Sequence, residues 1–223
     1  MSGEAGQSEQ SERSGKASST AGRRRVVVLR HGQTGHNAAG IWQGQLDSDL
    51  SELGREQARA AGKALAALAP SVVVASDLTR AAHTGAEVAS AAGVELALDR
   101  RWREIDVGRW EGLTAEEVLT QYPLERERHF RGEDFPRGVD GESLSDVTAR
   151  VRAALDDLLE RLGPGETAVV ATHGVTGRVV AAALVGLDVS TVWRVLGGFG
   201  NCHWAELVEG PGGWRISAWN ASA

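Results

Sequence analysis

Three short runs constrain this chain more than any other feature: Val26-Val27-Val28-Leu29, Val72-Val73-Val74-Ala75 and Ala168-Val169-Val170-Ala171. Each is wholly apolar, rich in β-branched residues and too short for a helix. A run of this kind, with no polar alternation, reads as a strand buried on both faces. Strands buried on both faces belong to parallel sheets, because the crossover connections lay helices over each side. Helical patterns separate the runs. Ala58, Ala61, Leu65 and Leu68 recur at spacings of three and four and form one apolar stripe, which Pro70 closes. A second helix is predicted from Leu78 to about Ala92, ended by Gly93. A third carries Val147, Val151, Ala154, Leu158 and Leu162, with Ser143 and Asp146 as a capping pair before it and Gly163-Pro164 as its stop. A fourth spans Val175 to Leu184. Strand alternating with helix predicts an α/β fold, a three-layer α/β/α sandwich around a mostly parallel central sheet.

The remaining segments fit around that frame. Residues 204–208 and 214–219 predict two strands joined through Gly210-Pro211-Gly212-Gly213. Residues Glu111 to Val139 are polar, aromatic and turn-rich, and predict a helical insertion over one end of the sheet. Residues 1–22 hold almost no large apolar side chain, cannot offset their ordering entropy and are expected to be a disordered tail. Residues 23–223 then make one domain, of a size that buries a substantial core.

Charge and cysteine content exclude several classes. A net charge of -6 speaks against a basic nucleic-acid-binding surface. The single cysteine, Cys202, allows no intramolecular disulfide and no cysteine-rich metal site, and reads as a buried, inert thiol in a reducing compartment. No stretch approaches the roughly 18 apolar residues of a membrane span, and the N-terminus lacks the apolar core of a secretory signal. The chain reads as cytoplasmic, with neither a nucleic acid nor a membrane as partner.

Each apolar run is followed at once by reactive residues: Arg30-His31-Gly32 after the first, Ser76-Asp77-Leu78-Thr79-Arg80 after the second, Thr172-His173-Gly174 after the third. Ligands of open α/β sheets bind beyond the carboxyl ends of the strands, so these three segments are expected to meet in one crevice. Two arginines and two histidines in one place suit a phosphoryl group. Guanidinium forks match phosphate oxygens, one neutral imidazole can attack phosphorus, and the other can donate a hydrogen bond to the oxygens. A proton donor for the leaving oxygen is also needed, and Glu104 is the candidate, with Asp106 and Glu111 close by. His36, His83, His129 and His203 show no HxH, HExxH or CxxC spacing and read as core or surface residues, not metal ligands.

Six ordered motifs carry a resemblance. Leu29-Arg30-His31-Gly32-Gln33-Thr34 with Asn37 comes first, followed by Leu50-Ser51-Glu52-Leu53-Gly54 with Gln57. Ser76-Asp77-Leu78 with Arg80 and Thr84, Trp102-Arg103-Glu104-Ile105 with Gly108, Gly141-Glu142-Ser143 and Thr172-His173-Gly174 complete the set. Together they resemble the histidine phosphatase (phosphoglycerate-mutase-like) superfamily, from about Val26 to the C-terminus. Within it, Trp42-Gln43-Gly44-Gln45-Leu46-Asp47, residues 196–201 and residues 219–223 resemble the glucosyl-3-phosphoglycerate phosphatases, although the N-terminal tail has no counterpart expected there.

The resemblance implies a metal-independent phosphomonoester phosphatase with no cofactor, in which His31 carries the phosphoryl group. Arg30, Arg80 and His173 would hold that group, and Glu104 would act as acid and then as base. Asn37, Gln43 and Gly174 would line the substrate side, and the helical insertion would cap the active site. The substrate would be a small phosphorylated metabolite such as glucosyl-3-phosphoglycerate, and a homodimer is plausible by the same resemblance. Two other readings stay open at this level. A cofactor-dependent phosphoglycerate mutase shares every one of these catalytic residues. A catalytically silent binding protein could occupy the same fold.

Overall fold

The computed structural model describes residues 22–223; the expected disorder of the tail falls on residues outside that range, apart from Gly22. The apolar runs form strands β1 (Arg25–Arg30), β2 (Val72–Ala75) and β4 (Thr167–Thr172). They lie in a six-stranded sheet of order β3-β2-β4-β1-β5-β6, completed by β3 (Leu96–Leu98), β5 (Trp204–Gly210) and β6 (Gly213–Ala221). The pairs β1–β4, β4–β2 and β2–β3 are parallel, while β5 runs antiparallel to both β1 and β6. Val169 sits between Val27 and Val73 in register, so the three runs align side by side.

Alternate side chains of these strands serve the two faces, as the pleat requires. Val27, Leu29, Val73, Ala75, Val169 and Ala171 pack against α2 (Glu52–Ala66) and α3 (Thr79–Ala92). Val26, Val28, Val74, Ala168 and Val170 pack on the other side, against α6 (Leu144–Arg161) and α7 (Gly174–Val185). This is the three-layer arrangement that the all-apolar runs imply. Ser143 caps α6 through its side chain and Asp146 answers with its own, the capping box read from the sequence.

Other elements differ from expectation for local reasons. Helix α2 begins at Glu52, six residues before the apolar stripe becomes visible, behind the N-cap Ser51, whose Oγ accepts from Gly54 N at 3.0 Å. Its first turn is mostly exposed and leaves no periodic signal. Strand β3 is three residues at a sheet edge and half-exposed, so it lacks the apolar signature of the central strands. Two short helices, α1 (Gly35–Ala39) and α8 (Val189–Val195), also go unforeseen. The insertion contains α4 (Ala115–Gln121) and α5 (Pro123–Phe130) and is anchored by Trp110, which is wholly buried beside Phe135 and Tyr122. Among the described residues, no single helix is long and apolar enough to cross a membrane.

Because β1, β2 and β4 are parallel and in register, their carboxyl ends, at Arg30, Ala75 and Thr172, fall within one residue of each other. The reactive residues that follow each strand emerge along one edge of the sheet.

Candidate active site

A cavity of about 240 Å³ opens at that edge. Arg30, His31, Asn37, Gln43, Arg80 and Glu104 line it, together with Ile41, Trp42, Ile105 and Val107. Ala115 supplies the insertion's contribution. Of the three carboxylates Glu104, Asp106 and Glu111, only Glu104 lines the cavity. Asp106 accepts from Gly108 N within its own turn, and Glu111 accepts from Gln45 N. His173 lies behind the lining, fully buried, with its ring centroid 5.1 Å from that of His31. Gly174 opens α7, where a Cβ would stand 3.7 Å from Glu104 Oε2 and 3.8 Å from Arg30 Nε.

The other motif residues bolt the three loops together. A Cβ on Gly32 would come within 2.4 Å of Gly54 O, so the turn after β1 and the start of α2 touch backbone to backbone. Gly32 N donates to Thr84 Oγ1, which donates to Arg80 O, joining the His31 turn to α3. Gln33 N donates to Gln57 Oε1. Arg80 in turn donates to Gly44 O at 2.8 Å and to Leu46 O at 2.7 Å, fixing the loop that presents Gln43.

These bonds decide what each side chain offers the cavity. His31 Nδ1 lies 2.7 Å from Gly32 O; a carbonyl only accepts, so Nδ1 carries the proton and Nε2 keeps its lone pair. Burial, then Arg30 and Arg80, hold the His31 pKa well below the usual histidine value, so the ring is neutral. Burial and then Arg80 do the same to His173. Asn37 Oδ1 accepts from Thr34 N and from Asn201 Nδ2, and Gln43 Oε1 accepts from Thr34 Oγ1 and Ser48 Oγ. With both oxygens engaged as acceptors, what the two amides have left to offer is their NH₂ groups. Arg30 and Arg80 each spend terminal nitrogens on backbone carbonyls, Phe199 O in the first case. Yet Arg30 Nε, Arg80 Nε and His173 Nδ1 are buried with no hydrogen-bond partner among the described residues. Buried polar atoms left unpaired are costly, and the two guanidinium Nε–H donors with a third unpartnered nitrogen beside them mark a cradle for an anion.

Glu104 is held in a fixed orientation. Its Oε1 accepts from Ile105 N, Thr176 N and Thr176 Oγ1, and Oε2 accepts from Val175 N, so the carboxylate sits on the first turn of α7. Its loop is clamped by Arg150 of α6, which donates to Arg101 O, Arg103 O and Glu104 O and pairs with Glu142 through two nitrogens. Glu142 also accepts from Asp106 N. Arg150 escaped the sequence reading because nothing in the spacing of α6 marks one arginine as inward-facing. Asn201 escaped it too, although it bridges His31 O and Asn37 Oδ1.

Residues 26–222 match the model of the histidine phosphatase superfamily (branch 1), and the chain belongs to that family. It is an enzyme of the phosphatase kind, built on the phosphoglycerate-mutase-like fold. Over 217 residues it is 40% identical to a glucosyl-3-phosphoglycerate phosphatase of Mycolicibacterium vanbaalenii, covering 90% of this chain and 96% of the relative. It is 35% identical over 178 residues to phosphoserine phosphatase 1 of Hydrogenobacter thermophilus, covering 76% and 80% respectively. The solved structure of mycobacterial glucosyl-3-phosphoglycerate phosphatase in complex with VO₃ superimposes with a TM-score of 0.81 at 39% identity, covering 89% of this chain and all of that one.

Proposed function

We propose that the chain hydrolyses a small phosphomonoester through a phosphohistidine at His31, and that its substrate is glucosyl-3-phosphoglycerate or a close chemical relative. The observation that carries the reading is the pairing of His31 Nδ1 with Gly32 O, beside three buried and unpartnered nitrogens of Arg30, Arg80 and His173. Nε2 attacks phosphorus with its lone pair while the bond from phosphorus to the leaving oxygen breaks. Glu104 protonates that oxygen as it departs. Arg30, Arg80, His173, Asn37 and Gln43 donate to the equatorial oxygens as charge redistributes among them. A water then attacks the phosphohistidine and gives a proton to Glu104. The phosphorus–nitrogen bond breaks, its electron pair returns to Nε2, and inorganic phosphate leaves. The two guanidinium groups supply the positive charge that a metal ion brings to other phosphatases.

The substrate assignment draws its support from the 40% identity to the mycobacterial enzyme and from the shared fold. The experiment compares phosphate release from glucosyl-3-phosphoglycerate and from 3-phosphoglycerate in excess chelator. A preference of about 10²-fold in kcat/KM, worth about 2.7 kcal/mol, supports a dedicated enzyme. Equal rates refute the substrate and leave the chemistry in place. His31→Ala should abolish both turnover and acid-labile phosphoenzyme while leaving the circular dichroism spectrum unchanged. Isomerisation of 3-phosphoglycerate without net phosphate release would establish a mutase instead.

A further inference from the structure

We propose that Ser76 is a positioning residue that locks His173 in its Nδ1–H tautomer, so that His173 meets the phosphoryl group as a neutral hydrogen-bond donor. This rests on the phosphohistidine reading above and adds a residue and a protonation state to it.

The argument is a count of donors and acceptors. Ser76 is fully buried at the end of β2, and His173 is fully buried at the end of β4. Ser76 Oγ lies 2.9 Å from His173 Nε2 and already accepts from Leu78 N at 3.2 Å. A serine hydroxyl holds one proton and two lone pairs. Among the described residues, Ser76 Oγ has no third partner, so its proton has a single acceptor to meet, namely His173 Nε2. Were Nε2 protonated, the hydroxyl proton would be left without an acceptor among the described residues at a fully buried site. The network therefore closes in one way: Leu78 N–H to Ser76 Oγ, Ser76 O–H to His173 Nε2, and the ring proton on Nδ1. That nitrogen is the buried one with no partner.

The charge state follows from the surroundings. Ser76 cannot stabilise an imidazolium through its proton, full burial disfavours the charged ring, and Arg80, Arg150 and Arg30 raise the cost of one more positive charge further. His31 is held in the same tautomer by Gly32 O but to the opposite end: His31 offers a lone pair, and His173 offers a proton.

Long-range ¹H–¹⁵N spectra of the resting enzyme, labelled at histidine and at pH 7.5, test the tautomer without any substrate. Loss of a signal in His173→Asn assigns the ring. The expected result is a protonated Nδ1 and a bare Nε2. A protonated Nε2, alone or in an imidazolium, overturns the proposal. Ser76→Ala should move the ring towards the other tautomer and lower kcat by between about 10- and 10³-fold, the upper figure being the usual loss for one such donor. KM should change far less. Ser76→Thr should restore the wild-type spectrum. His173→Asn, whose amide nitrogen sits where Nδ1 does, should retain more activity than His173→Gln, whose amide mimics Nε2. The reverse order refutes the tautomer. Failure of the phosphohistidine reading is recognised separately, by the absence of phosphoenzyme at His31.

Discussion

The imidazole of His31 stands edge-on to that of His173, with ring centroids 5.1 Å apart and planes inclined at 60°. Two histidines this close cannot both be charged without strong repulsion, and both are buried beside arginines. Their neutrality is thus a property of the folded state, and it makes stability depend on acidity.

His31 and His173 are held well below the ordinary histidine pKa, and His129, enclosed by Trp42, Trp110 and Trp193, is held at about 3 by burial and by Arg137. In the unfolded chain each titrates near 6.5. As pH falls below about 6.5 the unfolded state binds protons that the native state refuses, so stability declines through this window. Above it the contribution is complete. Carboxylates such as Asp77, held low by Arg103, act only in the more acidic range below about 4. Urea midpoints at pH 7.5, 6.0 and 5.0 should therefore fall in that order. His129→Leu should flatten the decline. A midpoint constant across the three would contradict the neutral histidine cluster.

Glu104→Gln keeps in part the hydrogen bonds that its carboxylate oxygens accept, and removes the proton that the proposed acid would transfer. Hydrolysis of a sugar-linked or glyceryl phosphate should slow by about 10²–10⁴-fold, the usual range for a lost general acid. p-Nitrophenyl phosphate, whose leaving group needs no proton, should suffer much less. Equal losses on both substrates would remove Glu104 from the role of proton donor.

Arg150→Met should act through Glu104 without touching substrate. The substitution deletes three bonds to the carbonyls of residues 101–104 and the pair with Glu142. Leaving these partly buried acceptors unpaired should cost about 2–3 kcal/mol of stability, read in a urea titration. We expect kcat to fall more than KM, with p-nitrophenyl phosphate again the less affected substrate. A loss spread evenly over both substrates would assign Arg150 to stability alone.

Cys202 should be chemically silent. It is 5% exposed, and burial pushes its thiol up to about 12 even though Arg30 pulls the other way. Iodoacetamide at pH 8 should leave the folded enzyme unlabelled and modify it fully in denaturant. Rapid labelling of the native protein would show that the segment around Asn201 opens, and with it the support of His31 O and Asn37.

The amino-acid sequence alone determines the layered α/β architecture, because its information is local and repetitive: three all-apolar runs, helical stripes of period 3.6, and the Ser143–Asp146 cap. It also determines that two histidines and two arginines meet, since parallel strands in register must bring their carboxyl ends together. Tertiary structure alone decides what each group offers there. Which nitrogen of His31 and of His173 is free depends on Gly32 O and on Ser76, the latter 97 positions from its partner. The orientation of Asn37 depends on Asn201, 164 positions away. That Glu104 lines the cavity while Asp106 and Glu111 do not goes with its seat on the first turn of α7 and the Arg150 clamp on its loop. A single proton or amide flip leaves no trace in hydropathy or spacing; it is set by donors and acceptors that become neighbours only once the chain has closed.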